Sequence, residues 1–274
     1  MTDPGQEVIA MNKLDSSAIV AVGDVHGELD RLREILHHAG VLGDQDRWSG
    51  GSTILVQTGD VIDRGPDSMG VYRLLEKLQL EAPRTGGAVV RLLGNHELAL
   101  LQGEPYMTDV PDWRNFQRML QKDVLEGKVR GAYAGQGYLF THAGIRSEIR
   151  EYLLEGRRFG EGEDITPALA SRINGILIKA VKNKNFSDRI FREGDYPVGG
   201  IFWTRGVFSS ENASKVAQVF GHTIGKDIRR SPSERRVDID VGIHCNRTRA
   251  YLTLRGGKPI AHKIPKDVEL LIRS

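Results

Sequence analysis

Residues 18–27 read AIVAVGDVHG: an unbroken apolar run from Ala18 to Val22 stops at Gly23, and Asp24 and His26 follow at once between two glycines. A short, continuous apolar run closed by turn residues is the pattern of a strand buried on both faces. The same grammar returns twice. Thr53 to Thr58 runs into GDVIDRG (Gly59 to Gly65), and Ala88 to Leu93 runs into GNHE (Gly94 to Glu97). Between these strands the apolar spacing turns helical, with Leu29, Leu32, Ile35, Leu36 and Ala39 before Gly40, then Met69, Val71, Tyr72, Leu74, Leu75 and Leu78. Asp67 and Ser68 read as the start of that second helix. Glu97 to Gln102 begins a third. The β-α-β-α-β-α order predicts an α/β layered fold with a largely parallel sheet.

Outward from this core the pattern changes. Residues 103–135 are polar, with Trp113, Phe116, Met119 and Leu120 as the apolar points of a short helix, and read as an insertion over the rest of the chain. Residues 145–195 read as a helical cap, whose main helix opens at Thr166-Pro167 and continues through Ile173, Ile176, Leu177 and Val181. Later segments are strand-like: Lys215 to Phe220, Arg236 to Val241, and a hairpin of Ala250 to Leu254 with Pro259 to Lys263, turning at Gly256-Gly257. The expectation is a single domain over 1–274 with cap-like insertions at 103–135 and 145–195.

The bulk properties exclude more than they select. A chain of 274 residues that is 39% hydrophobic can bury a sizeable core. Its formal net charge of +2 offers no global field for nucleic acid or an anionic membrane. The single cysteine, Cys245, excludes an internal disulfide framework and is read as a buried, inert thiol. MTDPGQEVIAMNKLDSS carries neither a basic leader nor a long apolar stretch, so the expected compartment is the cytoplasm. His37, His38, His244 and His262 are read as structural or surface residues. Arg229, Arg230, Arg235 and Arg236 read as a solvated loop, with a docking patch for an acidic partner as the alternative.

Three turns that follow three strands converge on one crevice, because ligands of open α/β sheets sit beyond the carboxyl ends of the strands. Asp24 and His26 offer a hard oxygen and an imidazole, a pair suited to Mn, Fe or Zn. Asp60 can give one oxygen to each of two ions. Asn95 coordinates through its amide oxygen without adding charge, and His142 (in THAG) and His222 (in GHT), again at strand ends, can close a second site. Two divalent ions, two carboxylates and one hydroxide leave a net positive centre, matched to an anionic phosphate.

The set GDVHG, GDVIDRG, GNHE, THAG and GHT resembles the phosphoprotein phosphatase branch of the calcineurin-like metallophosphoesterases, from about residue 18 to residue 245. Within that branch, IFWTRG (Ile201 to Gly206) looks like the W-x-R-G segment of bacterial and Shewanella-like phosphatases. The resemblance implies a central two-sheet β-sandwich flanked by helices, with a helical cap insertion. It implies a first metal on Asp24, His26 and Asp60 and a second on Asp60, Asn95, His142 and His222, with Mn preferred over Fe or Zn. It further implies in-line attack on phosphorus by a metal-bridging hydroxide, phosphate held by Arg64, Arg205 and Asn95, and His96 as general acid oriented by Asp63. The chain departs from the eukaryotic members in carrying His142-Ala143-Gly144 for HGG and in lacking an SAPNY-type segment, which weakens any link to their regulatory partners.

The implied function is a dimetal phosphomonoesterase acting on phosphoproteins, at Ser/Thr, Tyr or both, or on small phosphate esters. It is expected to be a monomer with no nucleic-acid or membrane partner. A symmetrical diadenosine tetraphosphate hydrolase is the alternative; those enzymes typically carry GNHD and a GHW-like motif where this chain has GNHE and Gly221-His222-Thr223. A metal-free binding scaffold on the same fold is the alternative from another class, and it needs eroded ligands, whereas all six are in place.

Overall fold

The structure, a computed structural model, describes residues 18–105, 108–195, 199–207, 214–233, 235–245 and 248–265. The strands are β1 (Ile19–Val22), β2 (Ile54–Gln57), β3 (Ala88–Leu92), β4 (Val129–Arg130), β5 (Tyr133–Gly135), β6 (Tyr138–Phe140), β7 (Gln218–Phe220), β8 (Arg229–Arg230), β9 (Arg236–Asp238), β10 (Arg249–Arg255) and β11 (Lys258–Ile264). The helices are α1 (Leu29–His38), α2 (Ser68–Glu81), α3 (Asn95–Gln102), α4 (Trp113–Leu125), α5 (Ser147–Leu154) and α6 (Thr166–Asn183).

Two sheets result. The first runs β11-β10-β1-β2-β3-β4, parallel from β1 to β4 and antiparallel at the β10–β11 hairpin. The second runs β5-β6-β7-β9-β8, with β6, β7 and β9 parallel. They lie face to face, and the period of two along each strand divides the core accordingly. Ile19 and Ala21 of β1, Ile54 and Val56 of β2, and Val90 and Leu92 of β3 pack with Tyr138, Phe140, Val219 and Val237 of the second sheet. Val20, Val22, Leu55 and Val89 point the other way, into a core shared with Leu32, Leu36, Leu75 and Leu78 of the helices. The molecule is therefore an α/β sandwich of two mixed sheets flanked by helices, where strand order alone suggested a single, largely parallel sheet.

The segments read as insertions belong to the flanks. Residues 103–135 supply β4 and β5 as well as α4, whose Phe116, Leu120 and Val124 are buried. Residues 145–195 supply α5 and α6, and α6 packs with Leu169, Ile173 and Leu177 inward. Ion pairing as well as apolar packing fixes α4 to the sheet: Arg91 of β3 donates to Asp123 at 2.8 Å and to Gln79 at 3.0 Å, and Tyr72 of α2 donates to the same Asp123 oxygen at 2.5 Å. Gly256 and Gly257 take φ of +57° and +72°, closing the β10–β11 hairpin with Arg255 opposite Lys258. Among the described residues no helix is long and apolar enough to cross a membrane.

Candidate metal centre

Six parallel strands, three from each sheet, deliver polar turns to one edge of the sandwich. Asp24 and His26 follow β1, Asp60 and Asp63 follow β2, and Asn95 and His96 follow β3; His142 follows β6, His222 follows β7 and Asp240 follows β9. A cleft of about 930 Å³ opens there, lined by Asp24, His26, Asp60, Asp63, Arg64, Asn95, His96, Pro105, Trp203, Arg205, His222, Thr223, Ile224 and Asp240. His142 is fully buried behind it. Of the two segments read as caps, only Pro105 reaches the cleft among the described residues.

The turns interlock through their backbones. Val25 and His26 N–H both donate to the Asp60 carbonyl, at 3.0 and 2.9 Å, and Gly27 N–H donates to Val61 at 2.9 Å. Gly59 sits at φ +98°, and a Cβ there would lie 2.5 Å from Gly94 N, so only glycine lets the second and third turns touch. Gly23 has a different reason: its φ is ordinary, and a side chain would strike Ile239 O at 2.5 Å, so the constraint is the approach of the second sheet and not a sharp turn. Five of the ten non-glycine residues with positive φ among those described are His26, Asp60, Asp63, Arg64 and His222. Strained backbone is concentrated where side chains must be aimed.

Three histidines are fixed in one tautomer. His26 Nδ1 lies 2.9 Å from Ile62 O, His142 Nδ1 lies 3.0 Å from Thr58 O, and His222 Nε2 lies 3.0 Å from Trp203 O. A carbonyl accepts only, so these ring nitrogens carry the proton and the other nitrogen of each ring presents a lone pair to the cleft. Those lone pairs face oxygens. Asp60 Oδ2 is 3.4 Å from His26 Nε2 and 3.6 Å from His142 Nε2, and Asn95 Oδ1 is 2.9 Å from His142 Nε2 and 3.1 Å from His222 Nδ1. Lone pairs facing a carboxylate call for a cation between them, and the residues form two groups that share Asp60: ligand atoms of Asp60, His142 and His222 lie within 4.8 Å of one another, as do those of His26, Asp60 and His96, although His96 is already engaged by Asp63 and Arg64.

Electrostatics agree with this. Burial pushes His26 down to about 4 and His222 down to about 3, in the second case helped by His142, and burial also lowers His142, so all three stay neutral as metal ligands must. Burial and then the neighbouring Asp240 and Asp60 push the Asp24 carboxyl well above its usual range, a crowd of carboxylates suited to added positive charge. Asp24 stands beside the clusters, 4.0 Å from His142 Nδ1, and both of its oxygens accept from His222 N–H at 3.2 Å. His96 behaves oppositely. Burial works to lower it, but Asp60 and the 2.6 Å hydrogen bond from its Nδ1 to Asp63 Oδ2 outweigh that and raise it.

Arg64 and Arg205, both exposed, stand at the cleft mouth; Arg205 approaches Asp195 at 3.6 Å. Several residues with structural parts to play were not singled out by the sequence. Glu97, the last residue of GNHE, accepts from Gly94 and Asp60 N–H at 2.9 Å, and from Val61 at 2.9 Å and Ile62 at 3.2 Å, riveting the Asp60 turn to α3. Ser68 does more than open α2: its Oγ accepts from Asp63 N–H at 2.8 Å and donates to Asp109 at 2.6 Å. Asp240 and His244 lie in DVGIH, read as strand and in fact the turn after β9; its Asp-x-Gly-x-His spacing was the available signal. Cys245 in that turn is exposed and not buried. His262 is structural, stacked on Tyr251 at 4.7 Å. Arg229 is no solvated loop residue but an ion-pair partner of buried Asp238. Tyr106 and Met107, in the segment read as an insertion over the rest of the chain, lie outside the described residues.

Comparison with known proteins agrees with this geometry. The calcineurin-like phosphoesterase family profile matches residues 17–224. Shewanella-like protein phosphatase 2 of Arabidopsis thaliana is 46% identical over 86 residues, 31% of this chain and 22% of that one. The symmetrical bis(5′-nucleosyl)-tetraphosphatase of Proteus mirabilis is 33% identical over 136 residues, 43% of this chain and 44% of that one. The chain thus spans less than half the length of either curated relative. The crystal structure of a cold-active protein-tyrosine phosphatase from a psychrophilic Shewanella superposes with a TM-score of 0.70 at 21% identity, covering 89% of this chain and 80% of that one, which establishes the common fold.

Proposed function

Since this chain belongs to the calcineurin-like phosphoesterase family, we propose that it is a dimetal phosphomonoesterase that removes phosphate from phosphoproteins, at Ser/Thr, Tyr or both. The observation that carries the reading is the placement of one Asp60 oxygen between His26 and His142, at 3.4 and 3.6 Å. Asp24, His26 and Asp60 would hold one metal, and Asp60, Asn95, His142 and His222 the other, with Mn the preferred ion for this mix of oxygen and imidazole. When bound, two divalent ions supply charge complementary to phosphate and the acidity that makes a water nucleophilic near neutral pH.

The remaining work falls to side chains. Arg64 and Arg205 approach the cleft from different loops and grip phosphate oxygens through their planar forks of donors, and Asn95 adds an amide. His96 turns Nδ1 to Asp63 at 2.6 Å, which orients its ring and leaves Nε2 to protonate the leaving oxygen. Trp203, Ile224 and Pro105 give the cleft an apolar wall beside these charged groups, suited to a side chain and flanking peptide. The single cysteine suits a reducing compartment such as the cytoplasm.

A second reading, hydrolysis of a symmetrical dinucleoside tetraphosphate, draws on the Proteus mirabilis relative; Glu97 and Thr223 at the two motif positions argue against it. One panel separates them. With added Mn, phosphopeptides carrying phosphotyrosine, phosphoserine or phosphothreonine are expected to turn over faster than diadenosine tetraphosphate; exclusive hydrolysis of the dinucleotide overturns the phosphatase reading.

A further inference from the structure

The Arg64 guanidinium is held from both sides by imidazoles. Its Nη2 lies 3.2 Å from His96 Nε2, and its Nη1 lies 3.3 Å from Nε2 of His244, a residue that the reading above leaves without a task. A guanidinium only donates, so His244 Nε2 presents its lone pair to it, while His96 Nε2 accepts only in the neutral form of that ring. The His244 ring also meets His26 edge-on, with centroids 4.6 Å apart at 78°. Resting on the assignment of Arg64 to phosphate binding, we infer that His244 is a positioning residue: it holds the Arg64 guanidinium over the cleft, oriented for the substrate's phosphoryl oxygens before substrate arrives.

Two features favour this over an incidental contact. The turn that carries His244 is braced, with Arg31 donating to Ile243 O at 3.2 Å, Gly242 N–H to Asp240 at 2.9 Å and Cys245 N–H to Gly242 O at 3.1 Å. Arg31 is itself tied to Glu28 at 2.6 Å, and Ile243 is buried. A ring on such a support can fix its partner. The partner type is the second feature. Among the described residues Arg64 has no carboxylate within ion-pair distance, so it is oriented by an imidazole acceptor, His244, that leaves its charge available to phosphate. A long, exposed side chain held in its bound pose gives up less rotamer freedom on binding. An arriving phosphate can then take Nη2 from His96 while His244 keeps Nη1.

The test compares His244→Leu, which removes the acceptor, with His244→Gln, which restores an amide oxygen at similar reach. Mn-loaded full chains are assayed for metal stoichiometry, for inorganic phosphate affinity by calorimetry, and for kcat and KM on p-nitrophenyl phosphate. His244→Leu is expected to keep both metals and to raise the phosphate Kd and KM about five- to tenfold, more than kcat falls, the size of one lost oriented hydrogen bond; His244→Gln recovers most of it. In an Arg64→Ala background His244→Leu adds little further loss. Wild-type Kd and KM in His244→Leu overturn the inference, as does metal loss in both variants, which places the effect at His26. Wild-type protein that neither binds phosphate nor hydrolyses the ester overturns the functional reading itself.

Discussion

His96 and His142 are both buried imidazoles within one cleft, and the partner of Nδ1 separates their tasks. At His142 it is the Thr58 carbonyl, 3.0 Å away, and burial keeps the ring neutral; at His96 it is the Asp63 carboxylate, 2.6 Å away, which with Asp60 raises the ring's proton affinity against burial. A neutral ring suits a ligand and a protonated one suits an acid. His96→Asn is therefore expected to retain metal and to lose about 10²–10⁴ in kcat on an alkyl phosphate, whose leaving group needs the proton, and much less on p-nitrophenyl phosphate. Equal losses on the two esters in steady-state assays would argue against the acid role. At this scale the sequence was informative wherever a motif paired residue type with a strand end, which is why all of Asp24, Asp60, Asn95, His142 and His222 could be named. It was silent where a residue acts through the backbone of another turn. Nothing local to Glu97 signals four N–H donors from two loops, and nothing around His244 signals that Arg64 meets it across the cleft.

The elements were legible to the extent that their two faces differ. Helices α1, α2 and α6 follow from their apolar stripes, and the β10–β11 hairpin follows from Gly256-Gly257. The second sheet did not follow from the residue pattern; the two-sheet sandwich was implied by the family resemblance, and the structure has it. In β1, β2 and β3 every residue but Gln57 and Arg91 is apolar, whichever way it faces, so the sequence reports burial on both faces without reporting whether a helix or a sheet covers each one. Short strands such as β4 and β5, of two and three residues, carry too little pattern to be read within 103–135. Their place is set by tertiary contacts, above all the Arg91–Asp123–Tyr72 group that clamps α4 and α2 to β3. Asp123→Ala leaves the Arg91 charge, whose side chain is 3% exposed, without its carboxylate. Denaturant unfolding should show a loss of about 3–5 kcal/mol, the range for an orphaned buried charge. A loss under 1 kcal/mol would mean that Arg91 is satisfied by Gln79 alone.

At the scale of the whole molecule the centre draws its residues from both halves of the sandwich. Asp24, His26, Asp60 and Asn95 come from the ends of the first sheet, and His142 and His222 from the second, so ions held between them would join the two sheets. Binding to the folded state alone adds stability by mass action, about 2.7 kcal/mol at a hundredfold excess over Kd. Chelation should accordingly lower Tm by roughly 5–10 °C in a chain of this size, reversed by Mn, whereas an unchanged Tm would show that the sheets do not depend on the ions. The measurement that bears most directly on the account titrates Mn into metal-stripped protein while following phosphate release from a phosphopeptide and bound metal together. Activity should rise to a plateau at two ions per chain, and Asp60→Asn, which weakens both sites at once, should abolish binding and turnover together. Full activity at one ion per chain, or an Asp60→Asn protein that holds two ions and turns over normally, would contradict it.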